Sequence, residues 1–539
     1  MARKRASVAI FLFTFLQVAT FCNSVPLSTN SRWIIDQETG KRVKLTCANW
    51  VSHLQPMVAE GLEKKPLSYI AKKVPETGFN CVRFTWPTFM FTRPDYYNLT
   101  VSESLDKYNL TAAKSGIAEN NPGFLSMKVA EVHMAVVNEL GKNKVMVVLD
   151  NHVSQPGWCC GDNDGNGFFG DANFDPAEWL QGLTAVARAY KGNSAVVGMS
   201  MRNELRGPRQ NTDDWYKYMQ QGAKAIHKEN PDFLVIVSGL YYDTNLGFLK
   251  EKPLPLQKNL DNKLVYEAHW YTFGTGADKW DAQTNNLCAA VTKIARDNYI
   301  FLTTGENPFP LFLSEFGIDQ RGTNEAENRY ISCLLAVVAE IDIDWALWTF
   351  QGSYILREGT LNLEEVYGVM DLNWDGPRNP QYLDRLQILR QKNQELESKN
   401  PNYYIMFHPQ SGKCAHIYKY GDIILATCET ATRWEQHQDG GPIKLAGGSS
   451  RCLTVAGDGG AASVSGDCSS KWKIVSSSGL HLAAQDGKGK YLCLEMNATD
   501  NFTIVTKKCL CVGDDLRDFP TCSDNPQGQW FKLVPANVD

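Results

Sequence analysis

Eight times along the chain, an apolar run of strand-like length ends in polar or aromatic residues. The runs cover residues 43–50, 79–86, 145–152, 196–204, 234–240, 264–271, 310–317 and 345–352. Apolar runs of this kind read as buried strands of a parallel sheet. Helical patterns lie between them. After Asp175-Pro176, a cap and a first-turn proline, the residues Trp179, Leu180, Leu183, Ala187 and Tyr190 share one face, and Gly192 marks the end. A second helix follows Thr212, with Trp215, Met219, Ala223 and Ile226 on one face and Pro231 beyond it. Residues 32–40 predict a short hairpin before the first strand, and residues 382–398 predict a charged helix that closes the series. Strand and helix alternating eight times predict a closed (β/α)8 TIM barrel. An open doubly wound sheet is the alternative, but no Gly-rich phosphate turn follows the first strand.

The pattern changes after Asn400-Pro401-Asn402. Residues 403–536 are rich in Gly and Cys, have short strand-like runs, and repeat. Cys414, Cys452 and Cys493 open three units. Each unit holds a second cysteine, Cys428, Cys468 or Cys509, and then a tryptophan, Trp434, Trp472 or Trp530. The expected organisation is a barrel domain over 33–400 and an all-β domain over 403–536.

Composition adds a compartment. The 539 residues exceed one typical domain, and 43% hydrophobic with 21% charged residues is a soluble globular balance. The formal charge of −5, with no Lys/Arg block beyond the N-terminus, argues against nucleic acid as partner. Arg3-Lys4-Arg5 precedes a short apolar stretch over 6–20, and Cys22-Asn23-Ser24 offers a cleavage point. Residues 1–24 therefore read as a signal peptide, too short for the ~20 residues of a membrane span. The mature protein is expected to be secreted, extracellular or in the cell wall, and free of the membrane. Cys22 falls in this leader, leaving an even number of the 15 cysteines for disulfides. The pairing among Cys47, Cys81, Cys159, Cys160, Cys288 and Cys333 stays open. Asn98, Asn109, Asn497 and Asn501 stand in glycosylation sequons.

In a parallel barrel, chemistry gathers at the C-terminal ends of strands. Standing there are Arg83, Asp150-Asn151-His152, Asn203-Glu204, His269-Trp270-Tyr271, Ser314-Glu315 and Trp348. Each alone has an ordinary structural reading; their conjunction on the same end of six strands does not. The ordered set Arg83, His152, Asn203, Glu204, His269, Tyr271, Glu315 and Trp348 resembles glycoside hydrolase family 5, the cellulase-type retaining glycosidases. The run Gly157-Trp158-Cys159-Cys160, with 164–171, is similar to a plant branch of that family.

The resemblance implies roles. Glu204 is the expected general acid/base and Glu315 the expected nucleophile of a double displacement on a β-linked polysaccharide, endo-β-1,4-glucan or mannan. Arg83 and Tyr271 are expected to hold Glu315 ionised, and His269 to sit near Glu204. Asn203 is expected on the sugar 2-hydroxyl, His152 on the sugar, and Trp348 under its ring. The opposing reading is a non-catalytic carbohydrate-binding wall protein that keeps the barrel. The choice of glycan rests on the loops over 86–124, 153–174 and 272–308. No cofactor is expected. Asp162-x-Asp164-x-Asn166-Gly167 begins like a calcium loop, but its twelfth position is Asn173, so it reads as a substrate-side loop; no metal site is expected.

The three cysteine units resemble the ricin-B-type β-trefoil, with Cys452-Leu453 and Cys493-Leu494 matching its start. That resemblance and the repeat imply bridges Cys414–Cys428, Cys452–Cys468 and Cys493–Cys509, with Cys511–Cys522 as a fourth. The family's sugar-binding Asp is replaced by His416, Thr454 and Glu495, which leaves a second glycan at the trefoil open. The protein is expected to be a monomer. No catalytic candidate lies in 403–536, so a chain ending near Asn400 is expected to fold and to cleave a short soluble oligosaccharide at the full-length rate.

Overall fold

The computed structural model describes residues 26–256, 259–273, 275–396, 398 and 403–538; the leader expected over 1–24 lies outside them. Eight parallel strands close a barrel in chain order. They are β1 (Thr46–Trp50), β2 (Cys81–Pro87), β3 (Met146–Val153), β4 (Val196–Ser200), β5 (Leu234–Val237), β6 (Leu264–His269), β7 (Leu311–Phe316) and β8 (Asp344–Leu347). Every predicted strand is present, and nearly every residue in them is buried, as expected for a sheet covered on both faces.

The outer layer is formed by α1 (Leu67–Glu76), α2 (Val129–Lys142), α3 (Pro176–Ala189), α4 (Thr212–Glu229), α5 (Thr284–Asn298) and α6 (Glu325–Ile341). In α3 the Asp175 carboxylate accepts the N–H groups of Ala177 and Glu178 at 2.7 and 3.0 Å, and Trp179, Leu183, Val186 and Ala187 turn inward. Such a cap stabilises a helix by about 1 kcal/mol. Between β5 and β6 a 3-10 turn, Gly247–Lys250, stands where the alternation called for a helix.

The predicted N-terminal hairpin is shifted. Leu27–Asn30 pairs antiparallel with Trp33–Asp36, and the chain turns at Ser31, φ 56°. Its Leu27 and Ile34 pack with Cys47, Cys81, Val148, Ile236, Val265 and Phe312. The hairpin thereby plugs the end of the barrel opposite the strand C-termini. Cys47 and Cys81 are register partners on β1 and β2 and form a disulfide inside this plug region. A second disulfide, Cys288–Cys333, ties α5 to α6.

The charged helix expected over 382–398 is interrupted, forming only the short pieces Pro380–Arg385 and Gln387–Arg390. Asp342 explains the break. It is fully buried, caps the end of α6 with φ 52°, and pairs with Arg42 at 2.5 Å and with Lys44. Its Oδ2 also accepts the N–H groups of Asn393 and Gln394 at 2.9 and 2.8 Å, while Lys44 donates to the Gln391 carbonyl. Extended backbone satisfies this buried charge in a way a helix could not. Asp342→Ala strands two buried cations, so it should cost about 3–5 kcal/mol, read as a fall in Tm. Despite burial, its cationic partners hold the Asp342 carboxyl below its usual range. Its contribution is therefore present above the unfolded carboxylate pKa and fades as pH falls through the lowered folded value.

Residues 403–536 form antiparallel sheet. The first strand, Tyr403–His408, pairs with the last, Lys532–Ala536, and so closes the domain on itself. Disulfides join Cys414–Cys428, Cys452–Cys468, Cys493–Cys509 and Cys511–Cys522. The three units contribute equivalent residues to one core: Ala415, Leu453 and Leu494, then Ile423, Ala462 and Ile504. Backbone bonds pass between units there, Ile423 N–H to the Ala462 carbonyl at 3.2 Å and Ala462 N–H to the Ile504 carbonyl at 2.9 Å. Trp434 and Trp472 join this core, whereas Trp530 turns to the barrel and donates to Asn285 Oδ1 at 3.1 Å.

Candidate active site

Period-two alternation along a strand sends residues i and i+2 to the same side. Asp150 and His152 on β3, and Glu267 and His269 on β6, are therefore stacked in the barrel mouth, next to Arg83 of β2. The β6–β7 register slips by one residue where His269 comes to pair with Glu315, so that a bulge re-aims the chain there. The eight residues singled out in the sequence converge on this mouth.

Glu315 is bound on both oxygens. Arg83 Nη1 donates to Oε1 at 2.8 Å, and the Tyr271 hydroxyl donates to Oε2 at 3.2 Å. Arg83 is itself held by Asn49 Oδ1 at 3.0 Å, Asn203 Oδ1 at 3.0 Å and Asp150 at 3.1 Å. Burial disfavours its charge, but Asp150, Glu267 and Glu315 outweigh that and keep it protonated.

Glu204 faces Glu315 from the loop that follows β4. His269 Nδ1 lies 2.9 Å from Glu204 Oε1 and 3.7 Å from Glu315 Oε2. A carboxylate oxygen from each glutamate and a nitrogen of His269 all lie within 4.8 Å of one another. Glu204 has φ 42°, a left-handed conformation that costs a residue with a side chain on the order of 1–3 kcal/mol. Two contacts hold it there: its N–H donates to Asp243 Oδ2 at 3.3 Å, and its carbonyl accepts from Arg206 at 2.7 Å.

Burial pushes Glu204 up to about 7 against the pull of Arg206 and Arg83. It pushes Glu315 up to about 7 as well, opposed by His269 and Arg83. Two carboxyls this close lose their protons as a pair. Glu315 carries the charge-assisted bond to Arg83 and a hydroxyl donor, so the first proton leaves from Glu315 and the second is retained by Glu204.

The remaining candidates form one wall of the mouth. His152 is stacked between His53 and Trp348, at centroid distances of 4.0 and 5.7 Å, and burial keeps it neutral. Its Nδ1 lies 2.6 Å from Asp150 Oδ2, and Asn203 Nδ2 lies 3.4 Å from its Nε2. Trp158 meets Trp348 and Tyr354 edge-on, with the Arg357 guanidinium 3.4 Å over its ring. Opposite, the exposed ring of Phe273 stacks on Tyr271 at 4.6 Å. The calcium-like loop is engaged by protein groups: Asp164 pairs with Arg206 at 2.5 Å and Asp162 accepts from Tyr242 at 2.6 Å. Asn166 accepts the N–H groups of Ser154 and Gln155. The loop is thus pinned beside the mouth.

Several site residues had no role assigned from the sequence. Asp150 and Glu267 each stand two residues before a chosen histidine, so strand alternation already marked them. Asp243, Asn49 and His53 carried no such signal, because they come from other strand ends and only the closed barrel brings them in.

The family model for cellulase (glycosyl hydrolase family 5) matches residues 38–353. A glycosyl hydrolase 5 family protein of Chamaecyparis obtusa is 42% identical over 552 residues, covering 99% of this chain and 97% of its own. An endoglucanase of Paenibacillus polymyxa is 21% identical over 344 residues, covering 60% of this chain and 78% of its own. Among solved structures, an endocellulase from the archaeon Pyrococcus horikoshii superposes with a TM-score of 0.54 at 17% identity, over 68% of this chain and 99% of that one. At that identity the likeness speaks for the fold.

Proposed function

We propose that this chain, which belongs to glycosyl hydrolase family 5 (cellulase), is a secreted, retaining plant-branch hydrolase of a β-linked polysaccharide, endo-β-1,4-glucanase-like in its specificity. The observation that carries the mechanism is the short gap between differently bonded carboxyls. Retaining pairs stand roughly 5–5.5 Å apart and inverting pairs roughly 6.5–9.5 Å; one oxygen of Glu204 and one of Glu315 lie within 4.8 Å of each other, with His269 Nδ1 at 2.9 and 3.7 Å from them, which favours the shorter spacing. In this reading Glu315, ionised by Arg83 and Tyr271, attacks the anomeric carbon and forms a glycosyl-enzyme. Glu204 protonates the leaving oxygen, then deprotonates the water that hydrolyses the intermediate. Asn203 holds the 2-hydroxyl, His152 contacts the sugar, and Trp348 and Trp158 offer apolar faces to its rings.

The test is incubation with a panel of glucan, mannan and xyloglucan oligomers, with the fresh product read by NMR before mutarotation. Release of the β-anomer from a β-linked glucan is expected. An α-anomer excludes double displacement, and intact oligomers at every pH sink the enzyme reading. Activity should follow a bell in pH. It falls on the acid side as Glu315 takes up its proton and on the alkaline side as Glu204 loses its own. Because burial raises both carboxyls to about 7, the optimum should lie well above the ordinary carboxylate range near 4.5. An optimum below pH 4.5 would contradict the pair.

The proposed organisation is a leader over 1–24 removed on secretion, a catalytic domain over 33–400 and a ricin-B-like trefoil over 403–536. Supporting the trefoil are the three equivalent core sets and the backbone bonds that circulate among them. Asn98, Asn109 and Asn501 are exposed and Asn497 half-buried, positions open to glycosylation.

A further inference from the structure

Beside the catalytic pair stands a cluster that the mechanism leaves unused. Cys159 and Cys160, adjacent in sequence, form a disulfide on the loop after β3. The Asn203 side-chain amide, placed above on the sugar 2-hydroxyl, reaches Cys159 Sγ at 3.6 Å and Cys160 Sγ at 3.7 Å. The same amide lies 3.4 Å from His152 Nε2. A ring nitrogen of His152 and the two sulfurs all lie within 4.8 Å of one another. Cys159 and His152 are buried; Cys160 is partly exposed, which gives a reductant access.

The second observation is the far side of the imidazole. His152 Nδ1 sits 2.6 Å from the buried Asp150 carboxylate. With the proton on Nδ1 donated to Asp150, the Nε2 lone pair is left pointing at Asn203 and the sulfurs. A histidine whose second nitrogen is fixed by a carboxylate is the arrangement that zinc sites use to orient their imidazole ligands. Two thiolates and one such imidazole form a soft donor set with a fourth position left for water. The donors are close enough that side-chain rotation brings them to zinc distances of about 2.3 Å for sulfur and about 2.0 Å for nitrogen. While the sulfurs are bonded to each other, neither is a thiolate and the set is incomplete.

We propose that the Cys159–Cys160 disulfide is the masked form of a soft-metal site, in which the freed thiolates and His152 Nε2 bind a divalent cation of the zinc class across the sugar-binding face of the catalytic centre. The balance is simple. A phosphine reductant breaks the Sγ–Sγ bond and becomes its oxide, taking an oxygen from water whose two protons go to the two sulfurs. Cation binding then releases those two protons. A cation held there blocks the approach of a sugar to Asn203 and His152, so the reduced, metal-bound enzyme is inactive. That consequence rests on the proposed hydrolase reading; the binding itself does not.

The experiment uses the full-length protein, reduced with a water-soluble phosphine, freed of reagent and titrated with Cd2+ alone. The reduced protein should develop the ultraviolet charge-transfer band of cadmium thiolates, and Zn2+ should displace it. The other disulfides are exposed to the same reductant and can add a band of their own, so the readout is the difference from Cys159→Ser/Cys160→Ser treated identically, whose band should be smaller. Asp150→Asn should weaken cation affinity about 10–100-fold, the usual effect of removing the group behind a ligating histidine. Zn2+ should suppress hydrolysis in the reduced wild type, a chelator should restore it, and the oxidised protein should not respond. No band in the reduced wild type, or an equal band in the double variant, overturns the proposal. If the double variant does not fold, alkylation of the reduced wild type substitutes: loss of the band must track modification of Cys159 and Cys160, and a band that survives it refutes the site. If the oxidised protein hydrolyses nothing, the hydrolase reading fails while the cadmium titration still decides this one.

Discussion

Glu315→Gln is expected to abolish turnover while leaving substrate binding in place. The amide is isosteric: its oxygen still accepts from Arg83, while its NH2 group, turned to Tyr271, donates to that hydroxyl instead of accepting from it, so the mouth keeps its shape. It cannot form the glycosyl-enzyme, and loss of a covalent nucleophile costs on the order of 10^5-fold or more in kcat. Glu204→Ala should behave differently. On an unactivated oligosaccharide it loses general acid catalysis, on the order of 10^2–10^4-fold. On an aryl glycoside whose leaving group needs little protonation, the first step should survive and the glycosyl-enzyme should accumulate, because the base for the second step is missing. Burst kinetics and intact-mass detection of a sugar adduct on Glu315 check this. Azide, a small anion that needs no base, should restore turnover in Glu204→Ala alone. Equal losses in both variants on both substrate types would show that the roles are assigned wrongly.

The barrel was legible in the sequence because its strands are buried on both faces and their last residues are not. An apolar run ending in Asn203-Glu204 or Ser314-Glu315 places its polar end in the mouth without any knowledge of neighbours. What stayed hidden depends on contacts between distant segments. Cys47 and Cys81 pair only because β1 and β2 fall into register. The helix after residue 380 breaks because buried Asp342 and Lys44 recruit the backbone of 391–394, a tertiary demand that outweighs local helix propensity. Asp243 reached the site from the fifth strand's loop, where the sequence offered no partner for it. Hydrophobic pattern specifies which segments are strands; the closure of those strands specifies which acids meet.

Removal of residues 403–538 is expected to destabilise the barrel and lower its activity even on a soluble substrate, which changes the expectation drawn from the absence of catalytic residues there. Every residue of α6 from Arg329 to Ala339 is buried, and a helix apolar or buried all round needs cover on every side. The C-terminal domain supplies part of that cover. Gln527 accepts from Ser332 at 2.6 Å, Lys532 pairs with Glu340 at 2.9 Å, and Asn525 donates to Glu325 at 3.1 Å. Trp530, fully buried, lies against α5. Exposing a few large side chains at roughly 1.5–3 kcal/mol each approaches the whole 5–15 kcal/mol stability of a typical domain. The effect should also reach the catalytic mouth. Cys522 N–H donates to the Ala282 carbonyl at 2.8 Å, and Asp518 accepts from Asn285 at 2.9 Å. These contacts hold the short helix Ala277–Ala282, whose Trp280 donates at 2.7 Å to Thr272, the neighbour of Tyr271. Tyr271 in turn binds Glu315. Loosening that chain of contacts frees the hydroxyl that orients Glu315, the proposed nucleophile. The check has two arms. A chain ending near residue 396 should melt well below the full-length protein and cleave a short oligosaccharide more slowly. In the intact chain, Trp530→Ala should cost about 3–5 kcal/mol, seen as a lower Tm. A truncated barrel with the full-length Tm and rate would show that the two domains merely share a chain.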